Sequence, residues 1–334
     1  MDYSSAAPLP DMAGMGAMRT ATGTSATSVP PTTPGSSPAE GEKHAKQRTL
    51  WGDALHRLVR NKLAVIALIW IFIVVVVACT ADLWVPQTLG SPTELDTSKS
   101  AAQSLLAPSL EHPFGTDLTG RDVMSRVIYG ARVSLAVGLL ATSISTVIGL
   151  IMGALAAYYG GIWDVIIMRL ADIFLAFPYI LFVIALLAVV GPGFQNVFIA
   201  IGILGWPSIA RVFRSAILSV KENDYVDAAR SMGASDARII LKHIFPNSVA
   251  TIVVYATMSI GGAILTESAL SFLGMGVQPP TPSWGVMISD GKQFLMNAPW
   301  LMFCPGLAIL TTVLSFTVLG DGLRDALDVK MKDA

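Results

Sequence analysis

Between Glu222 and Pro246 the chain gathers ionisable side chains that its long apolar stretches lack. The run is Glu222-Asn-Asp-Tyr-Val-Asp-Ala-Ala-Arg-Ser-Met-Gly233, followed by Ser235-Asp-Ala-Arg238 and His243-Ile-Phe-Pro246. Its residues suit contact rather than catalysis. The four histidines (His44, His56, His112 and His243) have neither zinc spacing nor a nucleophile beside them. No Gly-x4-Gly-Lys-Ser/Thr sequence is present, so the chain carries no phosphate cradle of that type. It is expected to hold no metal and no cofactor, and to hydrolyse no nucleotide itself. Cys79 and Cys304 both fall in apolar stretches, without disulfide or metal spacing, and read as small buried hydrophobes.

The local signals make the charged run a helical elbow. Asp224 is placed to cap a helix, with Asp227 three residues on completing an approximate capping box. Acidic groups in that first turn also suit the helix dipole. Tyr225, Ala228, Ala229 and Met232 recur at helical spacing and predict one small-plus-aromatic face. Gly233 fits the left-handed position after a helix end. Ser235 then caps a second short helix bearing Ile239, Ile240 and Ile244, and Pro246 is expected to end it. Two alanines on the contact face would let a partner approach closely. Amphipathicity alone fits a solvated interfacial hairpin equally well.

The elements around this island are membrane spans. Of the 334 residues, 53% are hydrophobic and 13% charged, with a mean hydropathy of +0.62. Soluble domains carry about 25% charged residues. Leu63 to Ala81 contains no charge and makes roughly 28 Å of helix, enough to cross the hydrocarbon. Further spans are expected at Val133–Ala157, Val249–Leu270 and Leu301–Leu319. The uncharged stretch from Ile173 to Ala210 is too long for one crossing. Gly191-Pro-Gly-Phe-Gln-Asn196 divides it into a tight hairpin of two spans, which gives six. Residues 1–48, rich in Ser, Thr, Pro, Gly and Ala, read as a disordered tail rather than a signal peptide.

Charge sets the orientation. With both termini inside, seventeen of the 22 Lys and Arg residues fall on the inner segments. This expects a multi-pass protein of the cell membrane with both termini, and the Glu222–Pro246 island, in the cytoplasm.

The remaining polar motifs each admit a plain reading. Thr119-Gly-Arg-Asp122 reads as a capping box opening a short interfacial helix, with Arg121 and Arg126 free to meet lipid phosphates; contact with a substrate-delivering protein is the functional alternative. The loop from Gly276 to Trp300 is stiffened by Pro279, Pro280, Pro282 and Pro299, and Trp284 and Trp300 suit the interface level. Such a loop serves either as the mouth of a pathway or as a connector. Glu267 lies in the outer half of a span, where facing lipid would be costly. It either binds a cationic group of a substrate or locks spans together, and the lock is the simpler role. Ser143, Ser145 and Thr146, among Gly138, Gly149 and Gly153, fit close helix packing or a polar pathway lining. Arg169 and Asp172 are placed to pair at a span end, and Asp321, Arg324 and Asp325 form a solvated cluster beyond the last span.

Asp227-Ala228-Ala229, three residues, Gly233, nine residues, and a short apolar ending at Pro246 resemble the EAA coupling loop of permeases in binding-protein-dependent ABC importers. Asp227 stands where the pattern has Glu, and His243 and Phe245 stand where it has Ile and Leu. Four further stretches narrow the likeness: His112-Pro-Phe-Gly-Thr-Asp-Leu-Thr-Gly-Arg-Asp-Val-Met-Ser-Arg126 with Tyr129-Gly-Ala-Arg-Val-Ser134, Leu270-Ser-Phe-Leu-Gly274, Gln278-Pro-Pro-Thr-Pro-Ser-Trp-Gly285 and Leu319-Gly-Asp-Gly-Leu-Arg-Asp-Ala326. They resemble the "C"-type permease of dipeptide, oligopeptide and nickel importers, from about Trp51 to Val329.

The resemblance implies an all-α polytopic fold of six transmembrane helices with a type I, methionine-importer-like core. It places an N-terminal region with the first span at 49–131, the permease domain at 132–322 and a C-terminal tail at 323–334. The implied partners are a second permease subunit, two ATP-binding subunits that bind ATP and Mg, an extracytoplasmic substrate-binding protein and membrane lipid, with no nucleic acid. Glu222, Asp224, Tyr225, Asp227, Ala228, Ala229, Arg230, Gly233 and Pro246 become candidate ATPase-coupling residues. Glu267, Ser143 and Thr146 become candidates for the pathway or for a helix lock. Di- and oligopeptides are the expected cargo, with nickel or another small solute as the alternative. A secondary transporter would need intramembrane acidic relays, for which only Glu267 qualifies, and a membrane enzyme would need paired catalytic groups that the sequence lacks.

Overall fold

The computed structural model describes residues 50–88 and 103–327. The tail expected over 1–48 and the last residues of the C-terminal tail lie outside them. Among the described residues the chain is helical between turns, with one isolated bridge joining Thr116 and Asp122.

Helices α1 (Leu50–Arg60) and α2 (Lys62–Thr88) meet at Asn61, whose Oδ1 accepts the N–H groups of Leu63 and Ala64 at 3.2 and 3.3 Å. That side-chain cap satisfies donors that would otherwise be orphaned at the helix start. On α2 the residues Ala64, Ala67, Ala78 and Ala81 are buried, while Leu63, Ile66 and Phe72 are exposed. In lipid this division is stable, because small side chains let helices approach while large apolar ones meet acyl chains. Cys79 lies on the exposed side, contrary to its expected burial, where an apolar thiol is equally at home against lipid.

Helix α3 (Val123–Tyr159) has 37 residues and is therefore about 55 Å long, well over the thickness of the hydrocarbon layer. The separate interfacial helix expected after Thr119 does not exist. Asp122 caps α3 itself, accepting the Ser125 N–H at 2.7 Å, and no breaker separates that turn from the span. At its far end Gly160 and Gly161 hold φ of +65° and +53°, and turn the chain into α4 (Gly161–Ala176). Two consecutive left-handed residues are cheap only for glycine.

The first arm of the expected hairpin is not one straight helix. Helix α4 and α5 (Tyr179–Val190) form a pair bent by 88°. Pro178 cannot donate the hydrogen bond that would continue α4, and it drives Phe177 into extended backbone at φ −95°, ψ 144°. The Gly191–Gly193 turn then leads into α6 (Phe194–Lys221), as the hairpin reading requires. Among the described residues five helical stretches are long and apolar enough to cross a membrane, and the bent pair supplies a sixth if it counts as one span.

Helices α7 (Asp224–Ser231) and α8 (Asp236–Ile239) form the elbow. A π turn at Ile240–Ile244 joins α8 directly to α9 (Phe245–Phe272). Pro246 thus does not end the second short helix; it occupies the first turn of α9, where a missing N–H is tolerated. Beyond α9 come α10 (Trp284–Gly291), a 3₁₀ turn at Lys292–Phe294 and α11 (Trp300–Leu327). The last helix runs past the expected Leu319, so exposed Asp321, Arg324 and Asp325 belong to its final turns.

Helix α3 packs along α6, and glycines set the spacing. A Cβ on Gly149 would lie 2.7 Å from Cβ of Ile209, one on Gly153 2.7 Å from the Ala210 carbonyl, and one on Gly202 2.7 Å from Cβ of Ile144. Overpacking such a contact costs about 1–3 kcal/mol. We expect Gly149→Val to lower the apparent melting temperature and the monodisperse yield of the detergent-solubilised chain. Gly306→Ala, where an added methyl meets nothing within 4 Å, should match the parent. Equal behaviour of the two variants in size-exclusion and thermal-shift measurements would contradict this packing.

Candidate functional site

The elbow is built from the end of α6 outward. Asn223, not Asp224, occupies the N-cap of α7, and Asp224 and Asp227 lie in its first turn. The Asn223 amide instead donates to the carbonyls of Ser219 and Val220 at 3.2 and 2.9 Å, sealing the end of α6. Helix α7 closes with the Ala234 N–H on the Ala229 carbonyl and the Gly233 N–H on the Arg230 carbonyl, at 3.1 and 3.0 Å. That pair of bonds is a Schellman motif, and it requires Gly233 at its observed φ of +80°. Ser235 stands at the N-cap of α8, as its position predicts.

Which face is free differs from expectation. Val226 is buried in a cluster with Ile239, Ile244, Phe213 and Ile217, and Ala229 is buried on the same side of the helix, which attaches α7 to the bundle. Tyr225, Ala228 and Met232 are exposed, Met232 at 82%. The two alanines therefore split, Ala229 inward and Ala228 outward. Alanine fits either side of a helix, and Val226, absent from the expected face, decides the rotation. Around the free face lie exposed Glu222, Asp224, Asp227 and Arg230, the last two paired at 3.3 Å. The Tyr225 ring lies 6.4 Å from that of His243, closing the angle between the two arms.

Polar bonds fix this unit to two spans. The Lys221 ammonium donates to the carbonyls of Tyr158 and Ala157, at 2.7 and 3.3 Å, where α3 runs out of internal donors. The Tyr158 hydroxyl donates to Asp236 at 2.6 Å, and the Lys221 ammonium lies 5.6 Å from the centre of the Tyr158 ring. Nearby, Arg214 of α6 grips Asp164 of α4 with two bonds of 2.5 and 2.6 Å. Asp172 pairs with Arg169 at 3.6 Å, as their spacing predicts, but Arg211 of α6 is the closer partner.

Glu267 lies in α9 with no exposed surface. Its carboxylate accepts from the hydroxyls of Ser134 in α3 and Ser271 one turn on, at 3.0 and 2.7 Å. Ser271 Oγ in turn accepts the Val277 N–H and lies 3.4 Å from Ser283 Oγ, the cap of α10. One carboxylate thus ties α3, α9 and the start of α10, and it lines neither the cavity beside Asp117 nor the one beside Ser145. Of the other pathway candidates, Ser143 is exposed and bonds back to the Leu139 carbonyl, while buried Thr146 Oγ1 has no partner. Their neighbours Ser145, named with them in the sequence, and Thr142, which was not, line a cavity of about 280 Å³ bounded by α3, α4, α5, α6 and α9. Only the rotation of α3 separates the two sets.

At the Val123 end of α3 the expected free arginines are locked. Asp117 accepts from Arg121 at 2.8 Å and from Arg126 at 2.7 Å, and Arg126 also reaches Asp290 at 3.5 Å. Burial pushes the Asp117 carboxyl up, but the two guanidiniums and the Arg121 N–H outweigh it and hold it below the ordinary carboxylate range. Asp117 precedes the two arginines by only four and nine residues, in a turn without helical period, and Arg126 alone gains a second partner, Asp290, from α10. Trp284 is likewise an anchor rather than an interface residue: it is buried and donates to the Val127 carbonyl at 2.9 Å. Among the described residues no cluster of three or more His, Cys, Asp or Glu is arranged to hold a metal ion.

The Glu267 knot has a direct test. Glu267→Leu removes the acceptor of two buried hydroxyls, each of which then costs about 1–3 kcal/mol. Glu267→Gln keeps a carbonyl acceptor. We expect the Leu variant to melt well below the Gln variant in thermal-shift measurements of the solubilised chain. Identical melting of the two would contradict the knot.

Residues 145–333 match the family model of the binding-protein-dependent transport system inner membrane component. Residues 49–108 match the N-terminal TM domain of oligopeptide transport permease C. The chain is 46% identical to the dipeptide transport system permease protein DppC of Alkalihalophilus pseudofirmus, over 84% of its own length and 90% of that protein. It is 45% identical to the glutathione transport system permease protein GsiD of Escherichia coli, over 85% of its own length and 92% of that protein. Its fold is similar to a chain of the inward-facing MetNI methionine ABC transporter, with a TM-score of 0.52 at 21% identity, covering 62% of this chain and 98% of the other. An all-helical, multi-pass chain with these relatives belongs to the binding-protein-dependent transport inner-membrane components, the permease subunits of ATP-driven importers.

Proposed function

We propose that the chain forms, with a second permease subunit, the pathway of an importer for di- and oligopeptides, and that two ATP-binding subunits drive it through the elbow. The dipeptide and glutathione permeases among its relatives support a peptide cargo. An extracytoplasmic binding protein delivers that cargo, and ATP with Mg is bound and hydrolysed by the partner subunits. Both termini and the elbow lie in the cytoplasm, in keeping with the excess of Lys and Arg on those segments. Nothing in the geometry favours nickel or an ion-driven carrier over this reading.

The observation that carries the coupling role is the division of α7 into two faces. Val226 and Ala229 hold it to the bundle, and Tyr225, Ala228 and Met232 remain free beside Asp224 and Asp227. A partner seated on the free face moves a unit already bonded to α3 and α6. Movement of the ATPases therefore acts on the spans as a lever, between two states biased by nucleotide. In the same reading residues 132–322 are the permease domain and 49–131 add the first span.

Gly233→Pro removes the donor to Arg230 and excludes the left-handed backbone. Asp227→Lys inverts a charge on the free face. In proteoliposomes containing the complete transporter, both variants are expected to insert normally and to lose ATP-dependent peptide uptake by tenfold or more. Uptake at the parental rate in both would overturn the coupling assignment.

A further inference from the structure

The cavity bounded by α3, α4, α5, α6 and α9 has a lining unlike the rest of the chain's polar sites. Seven hydroxyl-bearing residues line it, and none of its described lining residues carries a charge. Four of those hydroxyls have already committed their proton. Ser145 donates to the Gly202 carbonyl at 2.8 Å and Tyr179 to the Ile201 carbonyl at 2.9 Å. Ser259 donates to the Tyr255 carbonyl at 2.8 Å and Thr266 to the Gly262 carbonyl at 2.9 Å. A hydroxyl in this state keeps only acceptor lone pairs for anything in the cavity. The remaining hydroxyls include Thr142 Oγ1, which is buried and has no partner at all. An unpaired buried hydroxyl costs free energy unless something visits it.

The geometry points to a binding stretch for the cargo's main-chain amides that does not read side-chain charge. This rests on the proposed peptide importer. Acceptor oxygens without net charge satisfy N–H groups, which every peptide carries at regular spacing. A fixed carboxylate or guanidinium would instead retain peptides of one sign and repel those of the other. The carboxylate nearest in kind, Glu267, is turned away into its serine knot. Aromatic rings of Phe174 and Phe177 complete the wall and accept apolar side chains without selecting among them. Cargo of varied sequence can therefore cross one surface.

The test uses the complete transporter in proteoliposomes with binding protein saturated by each of three tripeptides, Ala-Ala-Ala, Ala-Lys-Ala and Ala-Glu-Ala. The parental complex is expected to move the three at rates within about threefold of one another. Thr142→Asp, or Ser208→Asp at the half-exposed rim if the first fails to fold, should favour the lysine peptide over the glutamate peptide by about tenfold, which corresponds to about 1.4 kcal/mol. Thr142→Val should slow all three alike while binding-protein-stimulated ATP hydrolysis persists. A charge at both positions that leaves the lysine-to-glutamate ratio unchanged, in complexes that still transport, overturns the cavity assignment alone. A parental complex that carries none of the three, although its binding protein holds them, overturns the peptide reading beneath it.

Discussion

Lys221 makes the contact on which the elbow depends. Its ammonium takes the carbonyls of Ala157 and Tyr158, which a helix end leaves without partners, and so joins the last turn of α6 to the last turn of α3. Tyr158 passes the connection to Asp236, and the buried side of α7 packs in the same place. An elbow held this way cannot swing independently of the two helices that cross most closely. Its rigidity suits the coupling role proposed for it, since force on a loose loop would be lost in the loop.

Farther along the same helices, the glycine-lined approach of α3 to α6 and the Glu267 knot keep the bundle from shearing internally. Gly149, Gly153 and Gly202 leave no room for rotation, and Glu267 joins α3 to α9 where a single missing hydroxyl would strand a charge-bearing group. The fold therefore separates two kinds of polar group. Several carboxylates and guanidiniums are paired near helix ends and Glu267 is held in its knot, while no charged side chain lines the cavity beside Thr142. Belonging to an importer family explains the need for both. A transporter must transmit movement through stiff elements and still offer its cargo a surface without traps.

Much of this was legible in the residues. Apolar run lengths located the spans, and Gly233, Ser235 and the isoleucines outlined the elbow, because caps and left-handed glycines are local decisions. Faces were less legible. Ala228 and Ala229 are compatible with either side of α7, and the rotation is fixed by Val226 meeting Ile239 and Phe213, which no local pattern reveals. Pro178 and Pro246 show the same limit from another direction. One bends a span by 88°, and the other sits in a continuous helix behind a π turn, so a proline's effect depended on where the neighbouring helices could accept the chain. Arg121 and Arg126 looked free because the turn that folds Asp117 back onto both has no helical period, and Asp290, the second partner of Arg126, arrives from 164 residues away.

If one face of α7 meets the ATPase and the other does not, neighbouring positions on the helix must differ in their reach to that subunit. In a background with Cys79 and Cys304 replaced, single cysteines at Ala228 and Ala229 can be oxidatively cross-linked to a cysteine on the ATPase subunit in the assembled complex. Efficient, nucleotide-dependent cross-linking is expected from Ala228→Cys and almost none from Ala229→Cys, whose side chain is buried. Efficient cross-linking from position 229 with none from 228 would contradict it.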